Sequence, residues 1–448
     1  MKMLKKLFFI LPLVLIILTN STNIYAAYKI PFEIKSKAAY LVNTDTGTVI
    51  YEKNAEEKLY PASLTKIMTA IIALERVHDL EGTVVTAKSY LYDEFYGLGV
   101  STADIRRGEE VRMIDLLYAL MLPSACEAGS IIADYVGDGN ITEFVEMMNQ
   151  KAKELGAVNT VFKNPHGLFH EEQVTTAKDM YLICKYAMEN PIFAKICSTP
   201  TYEMPATNVH LEPRYIIHTN YMMSKNRGGE KYYYQHIKGI KTGSLPECGK
   251  NLASTASFDG YNYMLITLGA PMIDAEGNKI TDNGSFLDAK ELYNWAFSFF
   301  NIKKILNKDD ILGETNIKLS ADQDYVTMVA DKDVTALLPR GADLSTIQKV
   351  KRYDTNIIAP IKKGQLLGQV QLKLNDEVID TVNLVAYEDV KQSKLLYFKD
   401  ATLRFFMQTN VKILIAVLVL LIITFMLVKA RLKSIIRKRN ARMRALRK

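Results

Sequence analysis

Cysteine is scarce in this chain, which has four cysteines in 448 residues. So few thiols cannot form the disulfide framework of a small secreted domain, and the chain is long enough to bury a core of its own. No two of them have the close spacing of a zinc site; they stand at positions 126, 184, 197 and 248. His166 and His170 are four apart, but Asn164-Pro165-His166-Gly167 is typical of a turn, not a helix. We therefore expect neither a metal site nor a cofactor.

Acidic residues are missing only from the two ends of the chain. The whole chain carries +7, but residues 411–448 carry +11 and residues 1–26 carry +3, so residues 27–410 carry −7. A basic chain can indicate a nucleic-acid partner. Here the basic residues are confined to the ends, where they suit anionic lipid headgroups. We therefore expect no nucleic-acid partner.

Both ends have the layout of membrane-targeting segments. Lysines at positions 2, 5 and 6 precede an uncharged run, and Ala26 closes a signal-peptide pattern over residues 1–26. An uncleaved anchor is the alternative. A second apolar run is flanked by Lys412 and Lys429, which can extend it to a transmembrane helix over 411–429. The tail 430–448 is basic, so the positive-inside rule predicts a cytoplasmic tail and a cell-membrane protein whose body is extracellular.

Strand patterns stand at both ends of the body, with helical patterns between them. The strand patterns cover residues 38–51, 251–257 and 263–268. The helical patterns cover residues 63–77, 113–122, 124–136, 141–155, 176–189 and 286–300. We therefore expect an α+β catalytic domain over 27–302, built from an antiparallel sheet covered by helices.

The pattern changes to alternation after residue 303, which predicts a small β-sandwich-like domain over 303–390. A linker over 391–410 would join it to the transmembrane helix. Phe405, Phe406 and Met407 in that linker either lie along the membrane surface or form the first turn of the membrane helix.

Three short motifs stand in order along the body. They are Ser63-Leu64-Thr65-Lys66, Pro123-Ser124-Ala125-Cys126 and Lys241-Thr242-Gly243. This set is typical of serine acyl-transfer enzymes. A serine hydroxyl needs a base to become a nucleophile, and Lys66 lies one helical turn from Ser63. Burial beside a second cation, Lys241, favours the neutral amine that can accept a proton. Gly243 has no Cβ and would let a substrate backbone lie against its strand.

The chain resembles the D-alanyl-D-alanine carboxypeptidases, the low-molecular-mass penicillin-binding proteins of peptidase family S11, from about residue 38 to residue 390. The segments that carry the resemblance are residues 60–70, 116–124, 159–168, 176–179, 239–243 and 359–364. It implies a β-lactamase/penicillin-binding-protein-like catalytic domain that removes the terminal D-alanine from peptidoglycan stem pentapeptides. β-Lactams, which mimic that end, would be inhibitors.

The resemblance also implies a role for each motif residue. Ser63 would attack the carbonyl between the two D-alanines and form an acyl-enzyme, with the lysine one turn on as base. Ser124 would pass a proton to the leaving amine. Lys241 and Thr242 would hold the terminal carboxylate. The backbone N–H groups of Ser63 and Ser244 would form the oxyanion hole.

Two departures from the family pattern leave alternatives open. The second motif of the family is Ser-x-Asn, whereas here the third residue is Cys126, and a thiol is a weaker donor and acceptor than an amide. The arginine that many relatives use for the substrate carboxylate has no counterpart in 282–289. A catalytically weak or silent penicillin-binding protein is therefore an alternative, and a D,D-endopeptidase would use the same residues. A class A β-lactamase is disfavoured because no Glu-x-x-Leu-Asn occurs.

Overall fold

The protein is described by a computed structural model over residues 29–374 and 376–445. The predicted signal peptide, residues 1–26, lies outside the described residues. The helices are α1 (Thr65–Arg76), α2 (Met113–Met121), α3 (Cys126–Val136), α4 (Ile141–Glu154), α5 (Ala177–Glu189), α6 (Pro191–Cys197), α7 (Lys225–Tyr232), α8 (Gly284–Phe299), α9 (Lys394–Met407) and α10 (Thr409–Ala445). The strands are β1 (Ala38–Asn43), β2 (Thr48–Lys53), β3 (Val84–Thr86), β4 (Glu110–Arg112), β5 (Thr201–Met204), β6 (Arg214–Ile217), β7 (Ile237–Leu245), β8 (Gly249–Phe258), β9 (Tyr261–Ala270), β10 (Phe300–Leu306), β11 (Ile311–Lys318), β12 (Tyr325–Ala330), β13 (Val334–Pro339), β14 (Gln348–Tyr353), β15 (Ile357–Ile358), β16 (Leu366–Leu374) and β17 (Glu377–Ala386).

Five strands form one antiparallel sheet in the order β2-β1-β9-β8-β7. Strand β1 pairs with β9, which places Leu41 opposite Leu265 although the two are far apart in the sequence. The prediction of a sheet made from both ends of the catalytic body is confirmed. Strand β7, which carries the Lys-Thr-Gly motif, ends the sheet.

The sheet is covered on both faces, because side chains alternate from one face to the other along each strand. On β1, Tyr40 and Val42 join a core that includes α1 and α2, whereas Ala39 and Leu41 join a core that includes α8. The predicted antiparallel sheet covered by helices is confirmed.

Both motif serines lie in turns ahead of helices. The pattern over 124–136 predicted a helix that includes Ser124, but α3 begins at Cys126 and Ser124 has a φ of 69°. A residue in the left-handed region does not continue a right-handed helix. Ser63 lies in the single 3₁₀ turn Ala62–Leu64, which leads directly into α1.

By its internal contacts the chain divides into two units, the second comprising residues 304–334, 347–373 and those from 380 on. A six-stranded sheet in this unit has the order β14-β16-β17-β12-β11-β15. Along β16, Val370 and Leu372 are buried and Gln369 is exposed, which is the alternation that predicted a β domain. The prediction of a small all-β domain after the catalytic domain is confirmed.

The segment expected as a linker, residues 391–410, contains the helix α9. Phe405, Phe406 and Met407 close this helix with exposed side chains, and Gln408 leaves the helical conformation before α10 begins. These residues therefore belong to α9 and not to the first turn of the apolar helix. Within the described residues, the part of α10 from residue 409 to residue 441 is the one helix long and apolar enough to cross a membrane.

Candidate active site

Ser63 is fixed in place by an asparagine of the neighbouring strand β8. Asn251 Nδ2 donates to Tyr60 O at 2.9 Å and to Pro61 O at 3.1 Å, and Asn251 Oδ1 accepts from Gly269 N at 2.8 Å. Asn251 is buried, so these bonds satisfy groups that water cannot reach. The backbone immediately before Ser63 is therefore joined to the sheet.

Two glycines lie against the same turn. A Cβ on Gly243 would come within 3.0 Å of Pro61 O and 3.3 Å of Ser63 N. A Cβ on Gly167, whose φ is +83°, would come within 2.1 Å of Ala62 O. The missing Cβ of Gly243 therefore makes room for the turn that carries Ser63. The predicted contact of Gly243 with a substrate backbone stays a prediction.

Lys66 has three polar neighbours. Its Nζ lies 3.1 Å from Ser63 Oγ and 3.5 Å from Cys126 Sγ, and it donates to the backbone oxygen of His166. A neutral amine has two N–H donors and one lone pair. With His166 O and the thiol accepting the two donors, the lone pair is left for the Ser63 hydroxyl. This is the arrangement that a general base requires.

Burial and mutual repulsion favour a neutral amine in the site. Lys66 and Lys241 are both fully buried. Burial lowers the pKa of Lys66, while Cys126 and Glu127 act in the opposite direction. Burial, followed by repulsion from Lys66, lowers the pKa of Lys241 well below its ordinary value. Two ammonium groups in a dry site repel each other, so the state with one neutral amine is favoured. The two buried lysines that the motifs predicted therefore interact in the structure, and the role of Lys66 as the base stays a prediction.

The loop 164–168 also contacts the site residues, a role that the motifs did not predict. Asn164 Oδ1 accepts from Gly167 N at 2.7 Å, and Asn164 Nδ2 donates to Leu168 O at 3.0 Å. Thr69 of α1 donates to Pro165 O at 2.6 Å. The Asn-Pro-His-Gly turn could have indicated this loop from the sequence. In the structure the turn places the His166 carbonyl against Lys66.

Ser124 lies in the turn before α3, and Cys126 is the first residue of that helix. Ser124 Oγ is buried and has no hydrogen-bond partner among the described residues. Lys241 therefore does not bond to it. Cys126 is buried, and its backbone N–H donates to Ser101 O at 2.9 Å. The unpartnered hydroxyl is available for a substrate, since buried polar groups otherwise find partners.

Glu127 accepts hydrogen bonds from residues 102 and 103, and its charge acts on Lys66. Its Oε1 accepts from Thr102 Oγ1 at 2.6 Å and from Ala103 N at 2.7 Å, and its Oε2 is buried without a partner among the described residues. Burial raises the pKa of Glu127. Its negative charge raises the pKa of Lys66 against the larger effect of burial.

Five of the eight predicted site residues line a single cavity of about 230 Å³. They are Ser63, Ser124, Thr242, Gly243 and Ser244. Lys66, Cys126 and Lys241 are buried and are not among the lining residues. Sequence reasoning did not find the other lining residues, which are Ser101, Thr219, Tyr221, Lys250, Asn251, Asn283 and Phe286. Thr219 Oγ1 lies 2.6 Å from Thr242 Oγ1 and so orients the hydroxyl of the third motif.

This fold and site define a class of protein. A serine and a lysine at hydrogen-bond distance, a second serine at the same cavity and a Lys-Thr-Gly strand beside them are the parts of a Ser-x-x-Lys acyl-transfer enzyme.

Comparison with known families agrees with this class. Residues 24–272 match the D-alanyl-D-alanine carboxypeptidase model of peptidase family S11, and residues 300–392 match the C-terminal domain of penicillin-binding protein 5. The first match covers more than half of the chain. The chain belongs to the D-alanyl-D-alanine carboxypeptidase family, the S11 peptidases. The prediction of a penicillin-binding D-alanyl-D-alanine carboxypeptidase is confirmed.

Individual relatives extend over most of the chain. It is 28% identical to the D-alanyl-D-alanine carboxypeptidase DacF of Bacillus subtilis, over 82% of this chain and 89% of that protein. It is also 28% identical to DacC of Escherichia coli, over 80% of this chain and 85% of that protein.

Solved structures show the same fold. Penicillin-binding protein 5 of Haemophilus influenzae superposes with a TM-score of 0.62 at 24% identity, over 82% of this chain and all of that one. The DD-transpeptidase of Streptomyces K15 has a TM-score of 0.53 at 27% identity, over 60% of this chain and 99% of that one.

Proposed function

We propose that this protein removes the C-terminal D-alanine of peptidoglycan stem pentapeptides with Ser63 as nucleophile and Lys66 as base. The observation that carries the proposal is the 3.1 Å contact from Lys66 Nζ to Ser63 Oγ, in a site where the other two neighbours of the amine are already fixed. The contact lies within the range in which a base can take a proton.

The acylation step follows from this geometry. Ser63 Oγ attacks the carbonyl carbon between the two D-alanines as its proton passes to Lys66 Nζ. In this proposal the backbone N–H groups of Ser63 and Ser244 would stabilise the developing oxyanion. As the C–N bond breaks, the proton held by Lys66 would pass through the hydroxyl of Ser124 to the nitrogen of the leaving D-alanine. Water then hydrolyses the ester, which releases the tetrapeptide and restores Ser63.

The terminal carboxylate of the substrate would lie near Thr242. This residue lines the cavity, and its hydroxyl is oriented by Thr219. Lys241 supports the same region from beneath, with Nζ donating to Thr242 O at 3.1 Å.

A catalytically silent protein is the second candidate, and Cys126 is the observation in its favour. Two solved mutants of the Streptomyces K15 DD-transpeptidase replace a serine and a cysteine that stand two positions apart. Ser124 and Cys126 have the same spacing. A cysteine at this distance from a serine therefore occurs in a relative that is named for its activity, which favours a working site here.

The test is D-alanine release from a D-Ala-D-Ala pentapeptide by the full chain in detergent, beside covalent labelling by a fluorescent penicillin. Ser63→Ala should abolish both signals. Ser101→Ala, which changes another serine of the cavity, should keep the labelling. Labelling that persists in Ser63→Ala would exclude Ser63 as nucleophile. Labelling of the wild type without D-alanine release would support the silent alternative.

For the rest of the chain we propose a cleaved signal peptide over 1–26, a catalytic domain over 27–302, a β domain over 303–390 and a transmembrane helix over 411–429 within α10. The basic tail 430–448 would be cytoplasmic and the two folded domains extracellular. A membrane-impermeant maleimide applied to intact cells should label Lys391→Cys and spare Ser434→Cys until the membrane is opened. Labelling of both in intact cells would refute this orientation.

A further inference from the structure

The active-site cavity contains one cation that no motif accounts for. Of the described residues that line it, Lys250 is the single charged one, and the rest are neutral polar, aromatic or glycine residues. Lys241, which the family pattern assigns to the substrate carboxylate, is fully buried and does not line the cavity. A carboxylate that enters the cavity therefore meets Lys250 first.

The register of the sheet places Lys250 on the same face as two residues that follow Lys241 on β7. In the β7–β8 pair, Ser244 is opposite Lys250 and Gly243 is opposite Asn251. Opposite residues of an antiparallel pair share a face, and successive residues alternate. Gly243 and Asn251 face the turn that carries Ser63, so Ser244 and Lys250 share the other face. Thr242, two residues from Ser244, is on that face as well.

The ammonium group of Lys250 is held in position and has donors to spare. Its Nζ donates to the backbone oxygen of Asp282 at 3.0 Å. The carboxylate of Asp282 is bound to Lys231, and Lys250 has no ion pair among the described residues. An ammonium has three donors, so two are available to a ligand. Burial lowers the pKa of Lys250 because it removes water from the ammonium, and a bound anion would stabilise the charged form.

We propose that Lys250 binds the C-terminal carboxylate of the substrate, together with the Thr242 hydroxyl, and so makes the enzyme specific for a free carboxyl end. This proposal rests on the proposed function. In this proposal the substrate carboxylate forms its ion pair with Lys250, which is partly buried on β8. The fully buried Lys241 instead acts electrostatically on Lys66.

The test compares a peptide ending in D-Ala-D-Ala with the same peptide ending in a carboxamide. Lys250→Met should lower kcat/KM for the free acid about tenfold to a hundredfold, the effect of losing a charge-assisted hydrogen bond, and should leave the amide within about twofold. Lys250→Arg should keep most of the preference for the acid, because a guanidinium also pairs with a carboxylate. Lys279→Met is the matched control, since it removes an exposed charge that interacts with Lys250 but does not line the cavity.

Binding without turnover separates this proposal from the proposed function. In the Ser63→Ala background, Lys250→Met should weaken calorimetric binding of the acid peptide by a similar factor. Weaker binding with an inactive wild type would support Lys250 and refute the proposed function. An active wild type whose preference for the acid survives in Lys250→Met, or equal binding by the two Ser63→Ala proteins, would overturn the role of Lys250.

Discussion

Replacing Cys126 by asparagine tests what the base requires from its neighbours. The thiol is a weak partner for Lys66, at 3.5 Å from Nζ. An amide oxygen there would accept a full hydrogen bond from the ammonium that forms as Ser63 loses its proton. Hydrogen bonds to charged groups contribute about 1.5–3 kcal/mol, so a net gain of about 1–2 kcal/mol in the transition state is expected. At 1.36 kcal/mol per factor of ten, kcat/KM should rise about fivefold to thirtyfold.

The same substitution has a cost in stability that the assay must separate. Cys126 is 3% exposed, and asparagine is larger. Overpacking of a buried site costs about 1–3 kcal/mol, which lowers the melting temperature without changing the chemistry of the folded molecules. D-Alanine release should therefore be measured well below the transition, and the melting temperature recorded for every variant. Cys126→Ala serves as the control that removes the thiol and adds no bulk.

Two results would refute this reasoning. If Cys126→Ala is as active as the wild type, the thiol does not assist Lys66. The hydrogen bond from Lys66 to Cys126 then has no part in catalysis. If Cys126→Asn is well folded and slower, the site is adapted to a thiol, and the asparagine of relatives cannot be transferred to this chain. A penicillin acylation rate that moves in the same direction as kcat/KM would locate the effect in the acylation step.

Two further predictions concern the pH profile and the turn. In the proposed mechanism Lys66 must be neutral to accept a proton, so the acylation rate should rise with pH through the pKa of Lys66. Glu127→Gln removes a charge that raises this pKa and should shift the rise to lower pH, whereas Glu146→Gln, which changes an exposed residue, should not. An unshifted profile for Glu127→Gln would show that Glu127 is not coupled to Lys66. Gly167→Ala and Gly139→Ala both place alanine at a φ near +84°, which costs about 1–2 kcal/mol. Only the Cβ at 167 meets backbone, so Gly167→Ala should lower the melting temperature further and reduce D-alanine release, and equal effects of the two would contradict this account of the turn.

Local patterns predicted most of the catalytic fold. The helix predicted over 63–77 is observed as the turn Ala62–Leu64 and α1, and the strands predicted over 251–257 and 263–268 are β8 and β9. Hydrophobic periodicity and turn residues report these elements, because each depends on neighbours in the sequence. The short elements between 191 and 232 were not predicted, and these are stabilised by contacts with distant segments: His218, for example, lies 3.2 Å from Ile240 O.

The site was predicted as far as its motifs extend. Lys66 could be assigned to Ser63 because one helical turn separates them, and Ser124 could be assigned because the three motifs follow one another in the order typical of serine acyl-transfer enzymes. Lys250 and Asn251 could not, since their positions depend on the register of β8 against β7, and a shift of one residue exchanges the two faces. The contact of Gly243 with the turn that carries Ser63 was missed for a related reason. A missing Cβ is visible in the sequence, but what fills the space is a matter of tertiary packing.

Ser63 is positioned by the fold and not by the conformational preference of its own segment. Ala62, immediately before Ser63, has a φ of 48°, and Ser124 has a φ of 69°. Non-glycine residues in this region carry strain of about 1–3 kcal/mol each and persist only where the surroundings hold them. Around Ala62 those surroundings are Gly167 and Gly243, which allow close approach on two sides, and the two hydrogen bonds from Asn251. In the proposed mechanism, acylation by the already fixed Ser63 requires the transfer of its proton to Lys66. The identity of residue 126 and the charge on residue 127 bear on that proton directly.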